Sequence, residues 1–315
     1  MRAVVITKPG DLDVLEVADR PAREPAEGEV RIAVKAASVN PTDIGLRQRG
    51  GGGGGGADLE PPWVPGMDAA GVIEAVGPGV DRLHVGDEVM AAVSPRRPEG
   101  GAQQELLVVP AASVVPIPDG ASLVEAATLP MNGLTAMRGL DMLGLRSGET
   151  LAVAGGAGLL ASYVIPLAKE RGLRVIADAK PEDEALVKSL GADVVVPRSD
   201  DFAGAIRRVA PDGVDGVYDT ALLYRDALGA VQDGGGIVFV RGWDGQEVED
   251  RGVRVHPVFV ARVLERTDWL EELRTLASAG KLKLRVAGEY PPEKAAEAHR
   301  VMDAGGLRGR AVIVF

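Results

Sequence analysis

Thr150-Leu151-Ala152-Val153-Ala154-Gly155-Gly156-Ala157-Gly158-Leu159-Leu160-Ala161 is the stretch that decides the fold class. Its first five residues form a short apolar run with the length of a buried strand. Gly156, Gly158 and Ala161 then fit G-x-G-x-x-A, and a helical pattern runs from Leu159 to Arg171. Each small residue has a physical task. The first permits a tight turn, the second lets backbone approach a pyrophosphate, and the third lets helix and strand pack closely. The helix N-terminus offers unsatisfied N–H groups and the positive end of its dipole to an anion. Gly155, Gly156, Gly158, Leu159 and Leu160 are therefore candidate cofactor-binding residues. A lone match carries little weight in a chain with 42 glycines; its place between a strand and a helix is what counts.

That place is part of a longer series. Helical patterns at Ser122–Leu129 and Gly133–Leu143 come before it. After it, strand patterns at Leu173–Ala177, Val194–Val196, Gly216–Asp219 and Gly236–Val240 alternate with helical patterns at Pro181–Leu190, Asp201–Ala210 and Leu222–Val231. Repeated strand–helix units predict a doubly wound parallel sheet over residues 119–255. Such turns often have an acidic residue about 20 positions on, which binds the adenosine ribose. Asp178 stands there and favours NADH. Lys180 could instead meet a 2′-phosphate, against the repulsion of Glu182, Asp183 and Glu184. The choice between the two cofactors stays open at this level.

Residues 1–118 have a different rhythm. Val30-Arg31-Ile32-Ala33-Val34 alternates, Gly71–Val76 and Glu88–Val93 are short and apolar, and turns such as Gly77-Pro78-Gly79 separate them. Many short strands predict a compact β-barrel. Residues 256–315 carry helical patterns at Asp268–Ala279 and Pro292–Ala304 and a terminal strand at Arg310–Phe315, which would return to the first domain. The glycine run Gly50–Gly56 reads as a surface loop, or as a lip over a substrate site.

Composition sets limits. The 315 residues suffice for two domains, and a net charge of −11 argues against nucleic acid as a partner. No apolar stretch is long enough to span a bilayer, and Met1–Ile6 reads as a first strand rather than a signal peptide, so a cytoplasmic location is expected. There is no cysteine, which excludes disulfides, thiolate nucleophiles and cysteine-rich zinc sites. His84, His256 and His299 have no nucleophile motif beside them.

Seven segments in order resemble the medium-chain dehydrogenase/reductase superfamily, in its zinc-free quinone oxidoreductase-like branch. Ser38-Val39-Asn40-Pro41-Thr42-Asp43 is similar to S-x-N-P-x-D, and Pro65-Gly66-Met67-Asp68-Ala69-Ala70-Gly71 to P-G-x-D-x-A-G. Val76-Gly77-Pro78-Gly79-Val80 with Val85-Gly86-Asp87-Glu88-Val89, then Leu134-Thr135-Ala136, Leu190-Gly191-Ala192-Asp193, Ala298-His299-Arg300 and Gly309–Val314, continue the pattern over the whole chain. The resemblance implies a GroES-like catalytic domain (1–118 and 256–315) and a Rossmann domain (119–255), with a cofactor in the cleft between them and a homodimer. It implies hydride transfer from NADPH, with NADH as the second choice, to a quinone or an α,β-unsaturated carbonyl; an enoyl reductase is a variant of this. Asn40, Asp43 and Thr135 would lie near the nicotinamide, as catalytic candidates. Thr220, Val240, Arg241 and Gly242 would also bind the cofactor. Zinc-dependent relatives need ligands where this chain has Asn40 and Met67, so no metal is expected.

Each role has a plainer alternative. Asn40 and Asp43 could cap a short helix, Thr135 could satisfy a backbone group, and Asp219 could be a turn residue. The sequence also departs from the family. Gly158-Leu159-Leu160-Ala161 replaces its G-G-V-G, and no tyrosine follows the N-P-x-D segment. These departures leave a second hypothesis: a reductase-fold protein with a lost or altered redox role, acting as a cyclase, isomerase or binding protein.

Overall fold

Alternation along Glu29–Ser38 turns Val30, Ile32 and Val34 into a core and leaves Glu29, Arg31 and Ala33 partly exposed, the period-two signature of a half-buried strand. In the computed structural model, which describes residues 1–51, 59–241 and 251–315, the chain opens with β1 (Arg2–Ile6) antiparallel to β2 (Leu15–Asp19). Then follow β3 (Glu29–Ser38) and α1 (Pro41–Arg49), which starts with proline at its first turn, where the missing N–H is harmless. β4 (Asp68–Val76), β5 (Glu88–Ala92), β6 (Leu106–Pro110) and β7 (Val114–Pro116) come next. β4 pairs antiparallel with β3 and β5, β6 with β3, and β7 with β5. α2 (Leu123–Ala126) is one turn long, held by a reciprocal cap between Ser122 and Glu125. α3 (Pro130–Leu143) follows.

The next strands are β8 (Thr150–Ala154), β9 (Arg174–Ala179), β10 (Val194–Pro197), β11 (Val214–Asp219), β12 (Val231–Phe239) and β13 (Arg254–Pro257). Between them lie α4 (Ala161–Glu170), α5 (Glu184–Ser189), α6 (Phe202–Arg207) and α7 (Arg225–Leu228). All neighbouring strands are parallel, in the order β10-β9-β8-β11-β12-β13. Numbered from β8, this is the 3-2-1-4-5-6 order of a dinucleotide-binding sheet. The structure shortens several expected helices: Ser122–Leu129 keeps α2 and Asp201–Ala210 keeps α6. Leu222–Val231 keeps only α7, because the Asp219 carboxylate accepts the Ala221 and Tyr224 N–H groups (3.0 and 2.8 Å) and holds the chain in a non-helical loop. Leu222 and Tyr224 there have φ of 62° and 50°. Val231, β-branched, begins β12 instead of ending a helix.

The chain closes with α8 (Thr267–Ser278), β14 (Val286–Tyr290), α9 (Ala295–Ala304) and β15 (Arg310–Val314). β15 pairs parallel with β14 and antiparallel with β3. Ala311 and Ile313 of β15 and Ala298 of α9 share a buried cluster with Val4 and Val39. The structure thus has two compact units: Met1–Met131 with Val263–Phe315, and Asn132–Arg262. Among the described residues no helix is long and apolar enough to cross a membrane.

Candidate functional site

The glycine turn lies at the carboxyl end of β8, the edge where open α/β sheets bind ligands. Gly155 has φ of +79°, and a Cβ there would sit 3.0 Å from Thr220 Oγ1. A Cβ on Gly156 would lie 2.8 Å from the Asp178 carbonyl oxygen and 3.0 Å from Ala177 Cβ, so this position lets β8 and β9 approach closely. The Gly158 N–H closes the turn on the Gly155 carbonyl (2.9 Å), and Ser162 N–H reaches the Gly158 carbonyl (3.0 Å) as α4 begins. Leu159 is 4% exposed, so protein covers its bulk, while Leu160 is half-buried. No hydrogen bond joins the Leu159 or Leu160 N–H to another described residue. These two amides, at the mouth of a ten-residue helix, are what an anion would need.

Around this turn the ends of the neighbouring strands converge. Asp178 of β9 is 4% exposed; its Oδ1 accepts the Gly155 N–H and, at 3.4 Å, the Gly156 N–H. Its Oδ2 lies 3.9 Å from Nε of Arg198, an exposed residue just past β10. Lys180 is exposed. Thr220 donates its hydroxyl to the Ala154 carbonyl (2.6 Å), fastening the end of β11 to β8. Burial raises the Asp219 carboxyl above its usual range, against the pull of the amides it accepts. Val240 is half-buried and Arg241 exposed after β12, and Gly242 lies outside the described residues. Thr135 is 7% exposed on α3, and its carbonyl accepts the hydroxyl of the fully buried Tyr218 (2.6 Å). A Cβ on Gly139 would fall on the Tyr218 ring, so helix and strand meet through a ring laid against a glycine.

In the other unit, Asn40 and Asp43 are fully buried at the start of α1, where the Asp43 N–H donates to the Asn40 carbonyl (2.9 Å). Asp43 accepts the Asn40 and Gly66 N–H groups (2.7 Å each), and Asn40 Nδ2 donates to Asp68 Oδ2 (2.7 Å). Asp68 also accepts the Met131 N–H. Burial pushes the Asp43 carboxyl up to about 7 and the Asp68 carboxyl up to about 6, despite the backbone amides each accepts. Sequence reasoning singled out neither Asp68, Arg198 nor Tyr218. Arg198 had no local signal, since only the sheet order brings it to Asp178. Tyr218 precedes an Asp-Thr pair that drew attention for the cofactor, and its task became visible only through Gly139. Among the described residues no three His, Asp or Glu side chains form a group that could hold a metal ion.

Two family models match the chain: an alcohol dehydrogenase GroES-like domain over residues 26–119 and a zinc-binding dehydrogenase over residues 190–313. An Arabidopsis thaliana protein, a chloroplastic NADPH-dependent alkenal/one oxidoreductase, is 33% identical over 322 residues, covering 99% of this chain and 79% of its own length. A solved NAD-dependent alcohol dehydrogenase is 32% identical, with a TM-score of 0.83 and full coverage of both chains. A mycobacterial protein solved in complex with NADPH is 29% identical, with a TM-score of 0.86 and full coverage of both chains.

Proposed function

The chain belongs to the medium-chain dehydrogenase/reductase superfamily, and from that premise we propose that it is an NADPH-dependent reductase of α,β-unsaturated carbonyls and quinones, with NADH as the second-choice cofactor. The observation that carries this reading is the glycine turn after β8, whose two free amides face no described acceptor, whose packing leaves no room for a side chain at Gly156, and whose Gly155 has a φ of +79° that side chains disfavour. The turn fits a dinucleotide: the amides of Leu159 and Leu160 would hold its diphosphate. Thr220, Val240 and Arg241, at the carboxyl ends of β11 and β12, would line its path. When bound, the dihydronicotinamide supplies a hydride to the conjugated carbon of the acceptor. Tyr218 fixes Thr135 through its carbonyl, and Asn40 and Asp43 are held by their own hydrogen bonds to Asp68 and to the Asn40 and Gly66 N–H groups. The rigid support of Thr135 suits a residue whose work would be to align a nicotinamide.

The reaction is proposed to be zinc-independent. Asn40 and Met67 are poor zinc ligands and the chain has no cysteine. A conjugated acceptor spreads the incoming charge over its carbonyl and needs less help from a Lewis acid than a simple ketone. A homodimer is part of the proposal. β13 is the edge strand of the parallel sheet, and Phe259 beyond it is 56% exposed. The proposed location is the cytoplasm. The test is steady-state turnover of NADPH and NADH with a 2-alkenal, a simple ketone and a quinone, with and without a chelator. Turnover of the alkenal or quinone that resists the chelator supports the reading. Turnover of the ketone alone, lost with the chelator, contradicts it.

A further inference from the structure

The sequence position of Asp178 suggests a ribose ligand, yet the geometry gives its carboxylate other partners. Oδ1 accepts the N–H groups of Gly155 and Gly156, and the residue is 4% exposed. Oδ2 lies 3.9 Å from the Arg198 guanidinium, whose side chain is 44% exposed. The Arg198 backbone is fixed beside the same site, because its N–H donates to the Ala179 carbonyl (2.8 Å). Asp178 thus presents little surface to solvent, and its second oxygen is faced by the guanidinium. We propose that Asp178 is a positioning residue that holds the glycine turn in its phosphate-binding shape, and that Arg198 sets the preference for a dinucleotide bearing a 2′-phosphate.

The chemistry follows from charge. A carboxylate that is free to accept ribose hydroxyls would repel a 2′-phosphate, and NADH would be preferred. Here Asp178 is capped on one oxygen by two amides and faced on the other by a cation. One exposed donor at this rim is then a planar guanidinium, which matches a phosphate in charge and in its forked geometry. Lys180 is exposed at the same strand end and adds positive charge; Glu182 and Glu184, also exposed, oppose it. Asp178 would act on the cofactor through the glycine backbone, so its loss should weaken every dinucleotide alike.

The inference rests on the dinucleotide reading above, and the test separates the two. The full chain is titrated calorimetrically with NADPH and with NADH, as wild type and as Asp178→Asn, Arg198→Ala and Arg198→Lys, with thermal unfolding of each recorded. For Asp178→Asn, both affinities should fall by about tenfold while their ratio stays within about twofold. For Arg198→Ala, NADPH affinity should fall about tenfold with NADH unchanged. Arg198→Lys should recover part of that loss. A rise of NADPH over NADH in Asp178→Asn would place its carboxylate on the ribose and overturn the proposal, as would equal losses in Arg198→Ala. Because Arg198 is exposed, its variants keep the test decisive should Asp178→Asn fail to fold. Folded wild type that binds neither dinucleotide overturns the functional reading and this inference together.

Discussion

Replacing Gly158 by valine should separate binding from stability, and replacing Gly156 by alanine should not. A Cβ on Gly158 would meet only the Gly155 carbonyl oxygen, at 3.2 Å, with nothing else within 4 Å. The residue is half-buried, so the remaining methyl groups of valine would project from the turn. The expected stability loss is below about 1 kcal/mol, a thermal shift of roughly 2–4 °C. Those methyl groups would stand where the Leu159 and Leu160 amides face a diphosphate. Two hydrogen bonds to a charged group contribute about 1.5–3 kcal/mol each, so NADPH affinity should fall by ~100-fold or more. Gly156→Ala places its Cβ 2.8 Å from the Asp178 carbonyl and 3.0 Å from Ala177 Cβ, both on β9. That overpacking costs about 1–3 kcal/mol, and unfolding and binding should suffer together. Differential scanning fluorimetry with a parallel NADPH titration reads both quantities. If folded Gly158→Val binds NADPH within about threefold of wild type, the turn is not the phosphate site.

Two other outcomes are expected. Gly139→Ala should lower the urea midpoint by the equivalent of about 1–3 kcal/mol and Tyr218→Phe by about 1 kcal/mol, the first from a Cβ on the ring and the second from a lost buried hydrogen bond; an unchanged midpoint for Gly139→Ala would contradict the packing. The buried acids Asp43 and Asp68 are pushed up from 3.8 to about 7 and about 6 in the folded protein. A raised carboxyl favours the folded state fully below its unfolded value and loses that contribution as pH rises through the folded value. Wild type should therefore lose roughly 2 kcal/mol relative to Asp68→Asn between pH 4 and pH 7; parallel stability curves from denaturant titrations across that range would show that the pair is not buried as described.

The parallel sheet was legible because its signals are local. Thr150–Ala154 is apolar, the glycines follow at once, and the same rhythm returns at Arg174, Val194 and Val214. The loop after β11 was not legible. Leu222 and Tyr224 adopt positive φ, which their side chains disfavour, because the Asp219 carboxylate at the end of β11, three and five residues before them, collects the loop's amides. β13 escaped notice because four residues with a histidine and a proline carry no period of their own; pairing with β12 makes them a strand. In the candidate site, the small residues of the turn were readable from their spacing. The partners of Asp178 were not, since Arg198 is twenty positions away in sequence and adjacent only through the β9–β10 register. The capping role of Asn40 and Asp43 was one of two readings the motif allowed. Their tie to Asp68 depends on the chain returning along β4.

The most direct measurement of the central claim follows the hydride itself. The enzyme is supplied with NADPH deuterated at the transferred position and an α,β-unsaturated ketone, and the product is read by NMR. A saturated ketone with deuterium on the former β-carbon is the expected product. Deuterium on the carbonyl carbon of an allylic alcohol would identify a simple carbonyl reductase and contradict that claim.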